Sequence, residues 1–288
     1  MSIELVTKYS PLVDEVFKSV SKTALVTNQD YDWTGAHTVK VYKVSTAPMN
    51  DYKRTVTDTD LQQTVSRYGA FQDLSAESQE MVLSNDRSFS FNIDTLDEDE
   101  TATALEAQSA LNRQLRTVVI PERDRSIFAK MVDGAGIKAA AKKLSEMKLY
   151  DELLSATEQM DEAEVPDTER VLVVTPKVYA ALKKELQEVA YNDLDANQRA
   201  SGIIGYIDGM TVVKVPSNIL PDNFGFMIAH PSATVAPVKL ADYGIYSDTP
   251  LSSGTIVVGR FAYDTFVLDN KKNGIYYQAL TPETGTQG

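Results

Sequence analysis

Two histidines are the only side chains in this sequence whose ordinary pKa lies near neutrality, and neither stands in a group that could use it. His37 precedes a strand pattern and His230 precedes Pro231, both without the spacing of a metal-ligand set, and both read as structural. There is no cysteine, so thiolate nucleophiles, thiolate metal sites and disulfides are all excluded. The crowded carboxylates Asp94, Asp97, Glu98, Asp99 and Glu100 suggest a divalent cation, but a calcium loop needs alternating oxygen ligands and a glycine at its sharp turn, which TLDEDETA lacks. Acidic residues before a helix are better explained by its unpaired amides and dipole, worth ~0.3 to 1 kcal/mol each. The run from Gly134 to Ala139 matches a dinucleotide-binding glycine pattern, yet it follows a helix, not a strand, so helix termination by glycine is the simpler reading. With 41 acidic residues no catalytic carboxylate pair can be singled out, and neither a P-loop nor a nucleophile elbow occurs. The sequence therefore assigns no catalytic, cofactor-binding or metal-ligating residue, and no cofactor.

The elements point to a different use of the chain. Apolar residues at Ala104, Ala107, Leu111, Leu115 and Val118, then Ile127, Phe128, Met131 and Val132, follow one helical face from about Asp99 to Asp133. At ~1.5 Å per residue such a helix is a strut of roughly 40 Å, and Pro121 predicts a kink or a second helix starting there. Ser10 and Pro11 open a short amphipathic piece carrying Val13, Val16, Phe17 and Val20, too short to stand alone, so residues 1 to about 34 read as an arm. Thr38 to Val44 and Ser88 to Asp94 alternate as strands that could pair. The polar stretch Ser45 to Arg87 between them is long for a loop, and is expected to project as a two-stranded excursion reaching another molecule.

Beyond the strut, Ala139 to Met160 reads as one or two helices carrying Leu144, Met147, Leu149, Leu153 and Leu154. Val171 to Val174 is a buried strand, Thr175 a cap, and Pro176 the first turn of a helix with Val178, Leu182, Leu186 and Val189 on one face. Asn192 to Ser201 reads as a surface loop. Thr211 to Val215, Phe224 to Ala229 and Val235 to Leu240 read as strands, and Thr255 to Leu268 as a long one with Gly259 at a bulge. Asn273 and Gly274 then predict a hairpin returning through Ile275 to Leu280, before a frayed tail.

Composition narrows the partners. Twenty-eight Lys and Arg against 41 Asp and Glu give a net charge of -13, which disfavours a dedicated reader of nucleic acid or an anionic membrane surface. No leader pattern opens the chain and no eighteen consecutive apolar residues occur, so a soluble, unexported protein in a reducing compartment is expected.

In this order of elements the chain resembles the major capsid proteins of tailed bacteriophages, the Hong Kong 97-type fold, and is similar to those of phages and prophages of Gram-positive bacteria. The stretches that carry the resemblance are FNIDTLDEDETA, RTVVIPERDRSIFAKM, VPDTERVLVVTPKVYAALK, GYIDGMTVVKVPSN and MIAHPSATVAPVKLADYGIY, spread over nearly the whole chain. The resemblance implies an α+β fold with an N-terminal arm at 1–34, an extended β loop at 35–96, a peripheral domain with a long spine helix at 97–165 and about 241–288, and an axial domain at 166–240. It implies a structural, non-enzymatic subunit that assembles through pentamers and hexamers into an icosahedral head enclosing double-stranded DNA without sequence-specific binding. A portal protein and a separate scaffolding protein are the further expected partners, since no helical pro-segment precedes the arm. No membrane is involved, and the expected place is the virion after assembly in the host cytoplasm. Candidate inter-subunit contacts are Asp51, Tyr52, Arg54 and Arg67 in the loop, Asp97, Glu98, Asp99 and Glu100 before the helix, and Arg113 and Arg116 on it. The alternative is an encapsulin-like compartment shell, which shares the fold but holds protein cargo. A surface adhesion module is a more distant rival. No lysine and asparagine pair for covalent cross-linking can be aligned.

Overall fold

Unbroken apolar runs predict strands covered on both faces. The two clearest, VLVV and FGFMIA, are buried at every position and pair with each other in the middle of a six-stranded sheet. The computed structural model describes residues 21–28, 38–44, 46–52, 54, 67–68, 73, 76–94, 107–185, 203–246 and 254–282. In chain order these residues form β1 (Thr38–Val44), β2 (Ala76–Val82), β3 (Asn85–Asp94), α1 (Ala107–Gln114), α2 (Ile120–Gly134), β4 (Ile137–Lys142), α3 (Leu149–Glu162), β5 (Val171–Val174) and α4 (Pro176–Glu185). There follow β6 (Ile203–Ile207), β7 (Met210–Lys214), β8 (Phe224–Ala229), β9 (Thr234–Val235), β10 (Val238–Tyr246), β11 (Gly254–Tyr263), β12 (Phe266–Val267) and β13 (Ile275–Leu280). The fold is mixed α+β.

The large sheet has the order β4-β13-β8-β5-β7-β6, with β5 parallel to β7 and antiparallel to β8. Because side chains alternate along a strand, Val171 and Val173 enter one core and Leu172 and Val174 the other. The first core holds Ile127, Phe128 and Met131 of α2 together with Val26, all essentially inaccessible. The second holds Leu149, Leu153, Ala156 and Met160 of α3 and Val178 and Leu182 of α4. Each such side chain contributes about 1.5–3 kcal/mol on burial, so helix, sheet, helix layering is where most of the stability resides. Thr175 caps α4 as expected, its Oγ1 accepting the Val178 N–H at 3.3 Å. Leu186, Val189 and the stretch Asn192 to Ser201 lie outside the described residues.

The strut is helical from Ala107 to Gly134, and Pro121 stands in the first turn of its second α-helical segment, in line with the expectation, without breaking the run. Directly before it, Leu115–Val119 form a π-helical turn. Proline offers no N–H to the carbonyl four residues back and crowds it sterically; a widened turn at this place relieves both problems. Thr117 Oγ1 also bonds back to the Arg113 carbonyl at 2.8 Å, adding a local acceptor demand in the same turn.

A three-stranded sheet, order β10-β11-β3, is antiparallel throughout. Its middle strand runs in continuous register past Gly259, opposite Phe89, so the expected bulge is absent. The glycine answers a different need: a Cβ there would stand 2.4 Å from the Phe89 ring, which lies across the strand. The expected pairing of the Thr38 and Ser88 strands is likewise corrected, because β1 pairs with β2, from Thr38 opposite Val82 to Val44 opposite Ala76. AESQEMV carries little apolar signal, yet its backbone ladders as well as any other. Residues Ala36–Val82 form a unit of their own; the other described residues form the second.

Two further expectations are overturned. Ile137–Lys142 is a strand, not a helix, because β13 offers it a parallel edge that outweighs the helical preference of IKAAAK. The Asn273-Gly274 hairpin does not form: Asp269–Gly274 is a 3-10 turn, and β11 and β13 belong to different sheets. α2 ends at Gly134, as expected of a terminating glycine, though neither Gly134 nor Gly136 has a positive φ. Gly136 is required by close approach, as a Cβ would meet backbone atoms of Lys272 and Asn273 at 2.6 and 2.7 Å, where its N–H bonds the Lys272 carbonyl. Gly136→Ala is expected to lower stability by about 2 kcal/mol in denaturant unfolding, since backbone must move to admit the methyl group.

Candidate functional site

Among the described residues, no group of three or more acidic or histidine side chains could hold a metal ion, and no helix is long and apolar enough to cross a membrane. Ser232 Oγ lies 2.8 Å from His230 Nδ1, a pairing that general-base chemistry also uses. Here the same nitrogen accepts the Ser232 N–H at 3.2 Å, which makes it the cap of the turn Pro231–Ala233. His37 lies outside the described residues.

The contacts predicted for the excursion fall within the Ala36–Val82 unit. Asp51, Tyr52, Arg54 and Arg67 are all exposed. Tyr52 meets Tyr68 edge-on at 5.2 Å between centroids, and Asn50 Nδ2 donates to the Tyr68 carbonyl at 3.4 Å, so the stretches around 50 and 68 come together. Met49 is 100% exposed and Tyr68 73% exposed. Large apolar groups this open on a small two-stranded element are what an interface covers. Asp97, Glu98, Asp99 and Glu100 lie outside the described residues. On the strut, Arg113 is half-buried and Arg116 exposed, while Val118 and Ile120 present an apolar edge on the outer side of the π-helical turn.

The contacts that hold the remaining body together were not legible in the sequence. Arg260 grips Asp86 with two hydrogen bonds, 3.0 and 2.5 Å, across β11 and β3, and this bond is the main cause that holds the Asp86 carboxyl below its usual range. Arg87 Nε reaches Glu122 at 2.9 Å, tying β3 to α2. Asp264 is buried and accepts from Ser84 N–H at 2.9 Å, Ser84 Oγ at 2.6 Å and Thr265 N–H at 2.8 Å. It fixes the residue at which the chain leaves β2 for β3. Within the stretch expected as an arm, residues 21–28 are described: Asn28 N–H bonds the Thr234 carbonyl at 2.7 Å, and Lys22 Nζ bonds the Lys214 carbonyl at 2.5 Å.

Asp124 of α2 closes this docked segment. Its Oδ1 accepts from Ser21 Oγ at 2.8 Å and Thr23 Oγ1 at 3.2 Å, with 3% of the residue exposed. Burial pushes the carboxyl above its ordinary value, against the opposing pull of the two hydroxyls and Arg123. A carboxyl that holds its proton more tightly when folded contributes stability fully below the unfolded pKa, near ~4, and loses it as pH rises through the raised folded value. Asp124→Asn should therefore melt no lower than the parent chain at pH 7, and any advantage should shrink as the pH is lowered toward ~4; a melting deficit at pH 7 would contradict this.

No family model matches the sequence, and no curated protein matches it. Among solved structures the chain is similar to one from Mycobacterium phage Che8, with 21% identity and a TM-score of 0.73 over 96% of this chain and 98% of that one. It is similar to the capsid structure of the cyanophage P-SCSP1u at 13% identity and a TM-score of 0.74, covering 97% and 94%. The asymmetric unit of the bacteriophage PhiM1 mature capsid matches at 12% identity and a TM-score of 0.67, covering 97% and 92%. Over nearly its whole length, the chain has the fold of solved bacteriophage capsid chains.

Proposed function

We propose that the chain is a structural major capsid protein of the Hong Kong 97 type, which self-assembles through pentamers and hexamers into an icosahedral phage head around double-stranded DNA. The observation that carries the reading is a body folded like phage capsid chains from which a separate unit, Ala36–Val82, exposes Met49, Tyr52 and Tyr68. In this reading that unit is the extended loop and clamps an adjacent copy. Residues 1–34 act as an arm, 97–165 with about 241–288 as the peripheral domain around the strut, and 166–240 as the axial domain around the capsomer axis. Asp51, Arg54, Arg67, Asp97 to Glu100, Arg113 and Arg116 are the polar contacts proposed to set register between copies. A shell needs several modest complementary patches on each subunit, since multivalency supplies the rest.

The subunit works without catalysis or cofactor. A net charge of -13 keeps the wall from gripping the packaged strand, whose own phosphates it repels. A portal protein and a separate scaffolding protein complete the set of partners, assembly takes place in the host cytoplasm, and the product resides in the virion. Light scattering of the chain expressed alone tests the reading: rings of five or six, tubes or hollow particles are expected. Micromolar binding of the subunit to duplex DNA at low salt would contradict the non-gripping wall.

A further inference from the structure

At its C-terminal end the Ala36–Val82 unit is joined to the other unit by a very short link. β2 ends at Val82 and β3 begins at Asn85, and β3 is committed to the body by its ladder with β11. Leu83 and Ser84 therefore carry the backbone across. Each residue brings two soft dihedrals, so an unrestrained link of this kind is a swivel.

One side chain removes much of that freedom. Asp264 follows Tyr263, which pairs with Asn85 at the end of the β11 and β3 ladder. Its Oδ2 accepts both the Ser84 N–H at 2.9 Å and the Ser84 Oγ–H at 2.6 Å, so Ser84 is held by backbone and side chain at once. The carboxylate is itself fixed, because Oδ1 accepts the Thr265 N–H at 2.8 Å and the Asn85 Nδ2–H at 3.5 Å. Leu83 is left as the joint.

Stability alone does not account for the choice of residue. Asp264 is 3% exposed, and its partners are neutral donors; among the described residues no basic side chain pairs with it. A buried carboxylate costs free energy that neutral hydrogen bonds return only in part, and a neutral side chain in the same place would carry no such cost. What the charge adds is short, strong, directional bonds. These restrain the link.

We propose that Asp264 is a positioning residue for assembly: by clamping Ser84 it narrows the range of directions in which Ala36–Val82 leaves the body and so presets that unit for an adjacent copy. The second half of this statement rests on the reading of the unit as the inter-subunit clamp. Preorganisation lowers the ordering cost of each contact, and a shell repeats the gain at every subunit.

The restraint is read on the full chain before any assembly. The sequence has no cysteine, so spin labels can be placed on Glu77→Cys in β2 and Lys130→Cys in α2, both exposed positions. Pulsed electron paramagnetic resonance should give a narrow distance distribution in the otherwise unchanged chain, and one at least about twofold broader with Asp264→Ala. Ser84 is exposed, so Ser84→Ala removes the Oγ bond and should broaden the distribution with an unchanged melting temperature. Asp264→Asn keeps an acceptor oxygen without the charge and should lie between the parent and Asp264→Ala. Assembly of the label-free Ser84→Ala chain, followed by light scattering, should slow by about tenfold. Equal widths in the parent, Asp264→Ala and Ser84→Ala would overturn the anchor, and so would a lowered melting temperature without broadening. Broadening with an unchanged assembly rate would overturn the presetting. A parent chain that never assembles contradicts the shell reading instead, and the distance distributions still decide the anchor.

Discussion

A subunit in which Val44 is joined to Ala76 through an Asn-Gly pair, replacing Ser45 to Ser75, is expected to fold and to build no stable shell. Val44 and Ala76 are opposite each other at the end of the β1 and β2 ladder, so a two-residue turn of this composition closes the pair without changing its register. The deletion spares Ser84 and its hydrogen bonds to Asp264, and it spares β3, which pairs with β11 in the body. Melting temperature should stay close to that of the parent chain. What disappears is the exposed set Met49, Tyr52 and Tyr68, with Asp51, Arg54 and Arg67 beside it. Interfaces concentrate their energy in a few aromatic and apolar anchors, so losing them should shift assembly by orders of magnitude. Normal particles from the shortened chain, counted by electron microscopy, would remove the clamp from the account.

Arg170→Ala is expected to destabilise the folded body by about 3 kcal/mol, the largest loss anticipated for one side chain. The guanidinium is 1% exposed and donates to the Pro166 carbonyl at 2.8 Å, the Val165 carbonyl at 2.6 Å and the Asp161 carboxylate at 2.6 Å. These bonds close the loop from α3 into β5, in which Glu164 and Glu169 take positive φ values of 56° and 60° without being glycine. Alanine leaves two carbonyls unpaired, empties a large volume and removes the tie that holds both strained residues. Asp161→Asn should cost far less, because that carboxylate side chain is 57% exposed and water takes over its solvation. For a body of this size the alanine variant should melt roughly 6–12 °C lower. Equal losses in the two variants would show that the ion pair, not the loop carbonyls, carries the energy.

The parts of the fold that could be read in the sequence were those whose local pattern agrees with their tertiary setting. Val171–Val174, Thr175 and Pro176 are such a case: strand, cap and helix start are written in adjacent residues and depend on nothing remote. The strut was legible from its periodicity, although the response to Pro121 was not, because a π-helical turn needs no special residue. Ile137–Lys142 and Ala76–Val82 were not legible as strands, since each is defined by the neighbour that pairs with it. The false hairpin at Asn273-Gly274 shows the converse, a strong local turn signal on a chain that is crossing from one sheet to another.

Of the candidate contacts, the sequence marked the excursion as a region but not the meeting of Tyr52 with Tyr68, sixteen residues apart and joined only by folding. Arg170, Asp264 and Asp124 were missed for one reason. A buried charge is recognisable only through its partners, which are remote for Asp264 and Asp124, as with Ser84 and Ser21, and are mostly backbone carbonyls for Arg170. A single charged letter in an acidic chain gives no sign of them.

Cryo-electron microscopy of the chain, expressed alone and together with the genes beside its own, tests the capsid reading most directly. Closed shells with five-fold and six-fold rings, in which the Ala36–Val82 unit of each copy lies against an adjacent copy, are the predicted result. A chain that stays monomeric under both conditions, or particles in which that unit touches no other subunit, would contradict it.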